Sequence, residues 1–175
     1  KPTRLGDWDV AALVSHIAGN SLWLTRCASA PTAVRATRDH QSYFDSTDAE
    51  GIDARAKLRS TELTHQELQE FAHEWTSEAK GLLETVEPTT VVAGPTEPIS
   101  FADLVFSRVV EGVVHGLDLA APTIAFPPDP EALELVTRWL ASRLEPPFPG
   151  RRPASRVPPA AADQCPRHEA RWTRP

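Results

Sequence analysis

The sequence predicts an all-α protein, a four-helix bundle joined by long connections. Three observations lead there. Four segments repeat apolar residues at helical spacing. Helix-start signals stand ahead of them: Asp7, Thr64 with Glu67, Ser100 with Asp103, and Asp129 with Pro130. No strand-and-helix alternation, glycine-rich phosphate loop or internal repeat breaks the pattern.

The first helix is expected from about Trp8 to Ala28, with Asp7 as N-cap. Its apolar set is Trp8, Val10, Ala11, Leu13, Val14, Ile17, Leu22, Trp23 and Leu24, with His16 in the middle and Asn20 one turn on. Residues 29–47 read as a loop that packs Tyr43 and Phe44 back onto the bundle. Ala49–Ser60 is weakly helical, with Gly51 against it. Thr64 and Glu67 form a capping box ahead of an amphipathic helix whose inward stripe is Leu68, Phe71, Trp75, Leu82, Leu83 and Val86. His65 and His73 fall outside that stripe and read as surface residues. The connection 87–99 allows one short extended piece at Thr90–Val92. Ser100 and Asp103 open the central helix, which Pro122 closes. Asp129 and Pro130 start a last helix with Leu133, Val136, Leu140 and Leu144 inward.

Composition bounds the function. Of 175 residues, 41% are hydrophobic and 24% charged, as in an ordinary globular domain. We expect one domain over residues 1–145 and a disordered Pro/Arg-rich tail over 146–175, which holds eight prolines. The net charge of −6 is split unevenly, with 12 basic against 22 acidic residues in the body and six arginines against two acids in the tail. An acidic body leaves no footprint for nucleic acid. Apolar runs fall far short of the ~20 residues that span a membrane, and no signal segment opens the chain. Cys27 and Cys165 follow no disulfide or CxxC spacing, so a reducing cytoplasm is expected. With no methionine in the sequence, residue 1 is expected to be a processed end.

The chemistry gathers in Ser100–Ala121. Inside an otherwise apolar helix run Arg108, Glu111, His115 and Asp118, spaced three, four and three, so they share one face. A helix apolar nearly all round is expected to be buried, and its charges then need partners. Glu111 and His115, one turn apart, stand as two ligands of one ion would, and His16 offers a third; two imidazoles and a carboxylate suit catalytic zinc. The competing reading makes His16 a satisfied core histidine and pairs Glu111 with Arg108. Asp118 either orients the His115 imidazole or caps a loop. Arg108 either holds a substrate carboxylate or, as we favour, has a structural role. Cys27 reads as a small buried residue, since no basic neighbour in sequence would lower its pKa.

Two stretches carry a resemblance. GDWDVAALVSHIAG, with a Trp before a helix and a His in its middle, and SRVVEGVVHGLDLA, with Arg, Glu, His and Asp at these spacings, resemble the N-terminal domain of mycothiol-dependent maleylpyruvate isomerases. That family lies within the DinB-like superfamily, and the similarity covers roughly residues 5–145. It implies an up-down-down-up bundle with a metal, most often zinc, held by His16, Glu111 and His115. It also implies mycothiol as thiol cosubstrate, with Asn20 and Arg108 as candidate contacts, and a small-molecule electrophile as the other partner. The preponderance of arginine over lysine fits the GC-rich coding of the actinobacteria that make this thiol.

The implied chemistry is addition of a thiolate to an electrophilic carbon, either reversibly, as in cis–trans isomerisation, or permanently, as in an S-transferase. The isomerases carry a C-terminal domain that contributes an arginine, where this chain has its Pro/Arg-rich stretch, so the resemblance implies a site more directly than a substrate. A second expectation is a non-catalytic bundle that binds metal or a small ligand in sensing, delivery or resistance. A third is a metal-free bundle whose polar stripe is a salt-bridge network, indifferent to chelators. Exposed helix faces leave a homodimer open.

Overall fold

The computed structural model describes residues 1–46, 48–94, 96–120, 123 and 128–144. The expected tail, Cys165 within it and Pro122 lie outside the described residues. The chain forms α1 (Val10–Ala28), α2 (Ala49–Glu62), α3 (His65–Thr85), β1 (Val91–Ala93), β2 (Pro98–Ser100), α4 (Phe101–Ala120) and α5 (Pro130–Leu144). The all-α bundle expected from the periodicity is what forms. Helix α1 is its centre, packed on α2, α3 and α4, while α5 lies against α4.

The start of α1 corrects the sequence reading. Gly6 takes a left-handed φ of 58°, and Trp8 N–H closes a turn onto the Leu5 carbonyl at 3.0 Å. That turn holds Trp8 outside the helix. The N-cap is therefore Asp9, whose carboxylate accepts from Ala12 N–H at 2.9 Å. Asp7 instead takes the Lys57 ammonium at 2.7 Å. The Trp8 indole N–H reaches across to Asp53, which ties the entry of α1 to α2.

Helix α2 is longer than its weak pattern suggested. Asp48 caps it by accepting from Gly51 N–H at 2.9 Å. A Cβ at position 51 would fall 2.0 Å from the Asp48 carboxylate, so the glycine that weakens the helical pattern is what lets the cap close. The capping box of Thr64 and Glu67 opens α3 as expected.

Residues 29–46 cross the bundle and are clipped to the β-hairpin, whose second strand the sequence did not disclose. Thr32 N–H bonds the Val91 carbonyl at 2.9 Å and Thr37 N–H the Pro98 carbonyl at 3.0 Å. The antiparallel register sets Val92 opposite Ile99, both fully buried. They join Leu24, Cys27, Ala79, Phe101 and Leu104 in one core cluster, against which Tyr43 packs. A second cluster joins Ala18 and Leu22 of α1 to Leu68 and Phe71 of α3. The third joins Val110 and Val113 of α4 to Val136 and Trp139 of α5, with Phe44 packed on it. The two aromatics of the long connection thus return to the core.

Several inward assignments do not hold. Leu83 of α3 and Leu133, Leu140 and Leu144 of α5 are exposed, as are Val114 and Leu117 of α4. In α5 the buried positions are Val136 and Trp139, three apart, a narrower stripe than the leucine pattern suggested. Helix α4 likewise has an outward apolar edge and is not enclosed on all sides. Its start follows the reading: Asp103 N–H bonds Ser100 Oγ at 3.1 Å, and Ser100 Oγ donates to the Asp103 carboxylate at 2.6 Å. Asp129 accepts from the N–H groups of Glu131 and Ala132 and starts α5 as read.

Candidate metal centre

Because α1 packs on α4, residues far apart in sequence meet between them. His16 comes from the middle of α1, and Glu111 and His115 from one face of α4. His16 Nε2 lies 2.8 Å from Glu111 Oε2, and His115 Nε2 lies 3.4 Å from the same oxygen. The three donor atoms fall within 4.8 Å of one another, and among the described residues they are the one such group of three. The two imidazoles stand perpendicular, their centroids 4.8 Å apart. Tetrahedral zinc, with bonds of about 2.0–2.1 Å, wants its donors roughly 3.3 Å apart. The 2.8 and 3.4 Å separations lie near that value, and the widest, within 4.8 Å, would have to close to reach it; two imidazoles and a carboxylate are a donor set that zinc takes.

His16 is buried, and the Trp8 ring stands edge-on to it at 5.3 Å. Behind His115, the Asp118 carboxylate meets Nδ1 at 3.1 Å. An acceptor at Nδ1 favours a proton on that nitrogen, and Nε2 is the atom that faces Glu111. The other reading of Asp118, a cap on the loop after α4, falls largely on residues outside those described.

Among the described residues Arg108 makes no direct pair with Glu111, so the pairing of those two that the competing reading assigned does not form. It sits a turn earlier on α4, and its guanidinium crosses to donate to Asn20 Oδ1 and to the Tyr43 hydroxyl. Ser107 Oγ accepts from it as well, at 3.2 Å. Asn20 completes the link, its Nδ2 lying 3.2 Å from Glu111 Oε2 and 3.3 Å from His16 Nε2. A chain of contacts therefore runs from Tyr43 through Arg108 and Asn20 to the shared carboxylate oxygen.

Electrostatics follow from this arrangement. Burial pushes the Glu111 carboxyl up. Hydrogen bonds from His115 and His16 and the charge of Arg108 outweigh burial and hold the group well below the usual carboxylate range. Burial likewise disfavours imidazolium at His115. The Glu111 and Asp118 carboxylates prevail there and raise its pKa. Burial raises the Tyr43 phenol, with Arg108 opposing.

Tyr43 and Trp8 are the site neighbours the sequence left unassigned. Tyr43 lies in a connection without helical period, so only its being the single tyrosine marked it. Cys27 is buried in the core cluster, and His65 and His73 are exposed on α3, as read. His40 makes a separate pair with Asp103, Nδ1 to Oδ1 at 2.6 Å, at the start of α4.

The family model described as mycothiol maleylpyruvate isomerase N-terminal domain matches residues 1–120. No curated protein and no solved structure matches the chain. Among the described residues no helix is long and apolar enough to cross a membrane.

Proposed function

The chain belongs to the mycothiol maleylpyruvate isomerase N-terminal domain family, and from that membership we propose a metal-dependent enzyme that adds mycothiol to an electrophilic small molecule. The observation that supports it is the convergence of His16, Glu111 and His115 from two helices, with Asp118 behind one imidazole. A divalent cation held there, zinc by preference for this donor set, would supply the Lewis acidity that lets a thiol lose its proton near neutral pH.

The chain's own residues do the rest. His16 and His115 present Nε2, and Asp118 keeps the His115 proton on Nδ1. Asn20 fixes the Glu111 oxygen, and Arg108 fixes Asn20 and places a positive charge beside the centre. Trp8 walls off His16. In the reaction the sulfur forms a bond to one alkene carbon, and the π pair moves onto the neighbouring carbon and its activating carbonyl. If rotation follows and the carbon–sulfur bond breaks again, a cis alkene leaves as trans. If that carbon is protonated instead, the thiol adduct is the product.

His115→Ala is expected to lose both the bound metal and mycothiol-dependent turnover of maleylpyruvate or simple activated alkenes. A folded variant that keeps one equivalent of zinc would refute the ligand set. Wild-type protein that binds zinc but consumes and isomerises none of these substrates would favour the non-catalytic binding bundle.

A further inference from the structure

Beside His16, a second set of groups has no role in the centre described above. A small cleft opens between α1 and α2, lined by His16, Asn20 and Trp23 on one side and by Arg55 and Arg59 on the other. Its volume is about 40 Å³, room for a group of a few heavy atoms, since one water needs roughly 10–15 Å³ on this measure.

Arg59 is the unusual residue. It is half-buried, and its Nη1 donates to the Ser15 carbonyl at 3.0 Å and to Ser15 Oγ at 3.2 Å. Its guanidinium also lies over the Phe71 ring at 4.9 Å. Among the described residues no carboxylate forms an ion pair with it, although nearby Arg55 has Asp48 at 3.7 Å. Its charged neighbours are mostly of its own sign: after burial itself, Arg55 and Arg26 weigh most against its charge, and Glu62 offsets them least. A half-buried cation among cations costs free energy unless an anion completes it. The Nε–Nη2 edge makes no hydrogen bond among the described residues, and that edge is the planar fork that takes a carboxylate in two parallel bonds.

We infer that this cleft is a carboxylate subsite, in which Arg59 receives the carboxylate of the reacting molecule and Arg55 adds a second, outer positive charge. It rests on the reading of His16, Glu111 and His115 as the reacting centre, because the cleft shares His16 and Asn20 with it. Arg59 then sets which electrophiles are accepted: those with a carboxylate a short reach from the carbon under attack.

The test is titration of the full chain with sodium acetate and, separately, with inorganic phosphate, read from the indole N–H resonance of Trp23. Zinc content is measured on the same samples. We expect saturable acetate binding in the metal-free and the zinc-loaded wild type, weakened at least tenfold in Arg59→Gln and less in Arg55→Gln, with zinc content unchanged. Gly19→Ala is the second variant, should Arg59→Gln fail to fold. A Cβ there would meet Arg59 Nη1 at 2.9 Å, so it displaces the guanidinium without removing its charge, and acetate binding should again weaken. Unchanged acetate affinity in the folded variants, no saturable acetate binding in the wild type, or tighter binding of phosphate than of acetate would each overturn the subsite. Loss of zinc binding in the wild type with acetate binding intact would fail the metal centre alone.

Discussion

Glu111→Gln preserves the side chain's size and removes its charge, which separates the electrostatic part of the centre from its packing. The wild-type oxygen meets His16 at 2.8 Å, Asn20 at 3.2 Å and His115 at 3.4 Å. Hydrogen bonds to charged groups contribute about 1.5–3 kcal/mol each, and removing one partner of a buried ion pair costs about 3–5 kcal/mol. Glu111 is 19% exposed, which moves the expectation to the lower end, about 2–3 kcal/mol for the metal-free protein. For a chain of this size that lowers Tm by about 5–10 °C.

The pH dependence of that loss has a definite sign. The raised His115 pKa stabilises the fold fully below the ordinary imidazole value of 6.5 and ceases to do so as pH rises through the folded value. The lowered Glu111 pKa stabilises above the ordinary 4.5 and is lost as pH falls through the folded value. Both contributions are present between about pH 4.5 and 6.5, so the gap between wild type and variant is widest there and narrows toward pH 9. Circular-dichroism melts in chelator from pH 5 to 9 measure the gap, and elemental analysis measures zinc. A gap independent of pH, or a variant with stoichiometric zinc, would refute the reasoning.

Asp118→Asn is expected to leave the fold intact and weaken zinc binding roughly 10–100-fold, because the amide no longer fixes the His115 tautomer; calorimetric titration with zinc reads the change. Tyr43 is the single tyrosine, so tyrosinate absorbance titrates it alone. Its midpoint should lie above 10 in the folded chain and return to the ordinary value in denaturant. Since the unfolded chain then releases that proton first, stability should fall as pH rises past 10. A midpoint at the ordinary value in the native protein would show the phenol to be solvated.

The readable part of the chain was its periodic part. The caps at Thr64 with Glu67, at Ser100 with Asp103, and at Asp129 ahead of Pro130 are made between near neighbours, so their spacing carries them, and all three formed. The face of α4 was legible because four polar residues at helical spacing leave little choice of direction. That His16 meets Glu111 is a contact across 95 positions, and the resemblance supplied it where spacing alone left two readings. What escaped was tertiary. Asp7 reads as the cap in sequence, and the turn at Gly6 moves the cap to Asp9. Arg108 has Glu111 three residues away, yet its long side chain finds better partners on α1 and in the 29–46 connection. The leucines of α5 fit a helical stripe, but only the edge with Val136 and Trp139 has a neighbour to bury it.

The position of Asn20 between Arg108 and Glu111 has a consequence for charge. Paired directly, the guanidinium and the carboxylate would satisfy each other's lone pairs and donors, and the oxygen would be a poor ligand. With the amide interposed, Arg108 lowers the Glu111 pKa through space while the oxygen keeps its direction toward the two imidazoles. With both imidazoles neutral, Arg108, Glu111 and Asp118 leave the centre one unit negative. A proton on His115 neutralises it, which is the state its raised pKa favours in the metal-free chain. On the proposed function, replacing that proton by a divalent cation would leave the centre one unit positive, a charge that one anionic ligand would complete and a second would overshoot. Without Arg108 the loaded centre would be neutral and would hold an anionic sulfur less firmly. On the proposed function, the arginine would add to its contacts with Asn20 and Tyr43 a charge that favours an anionic ligand.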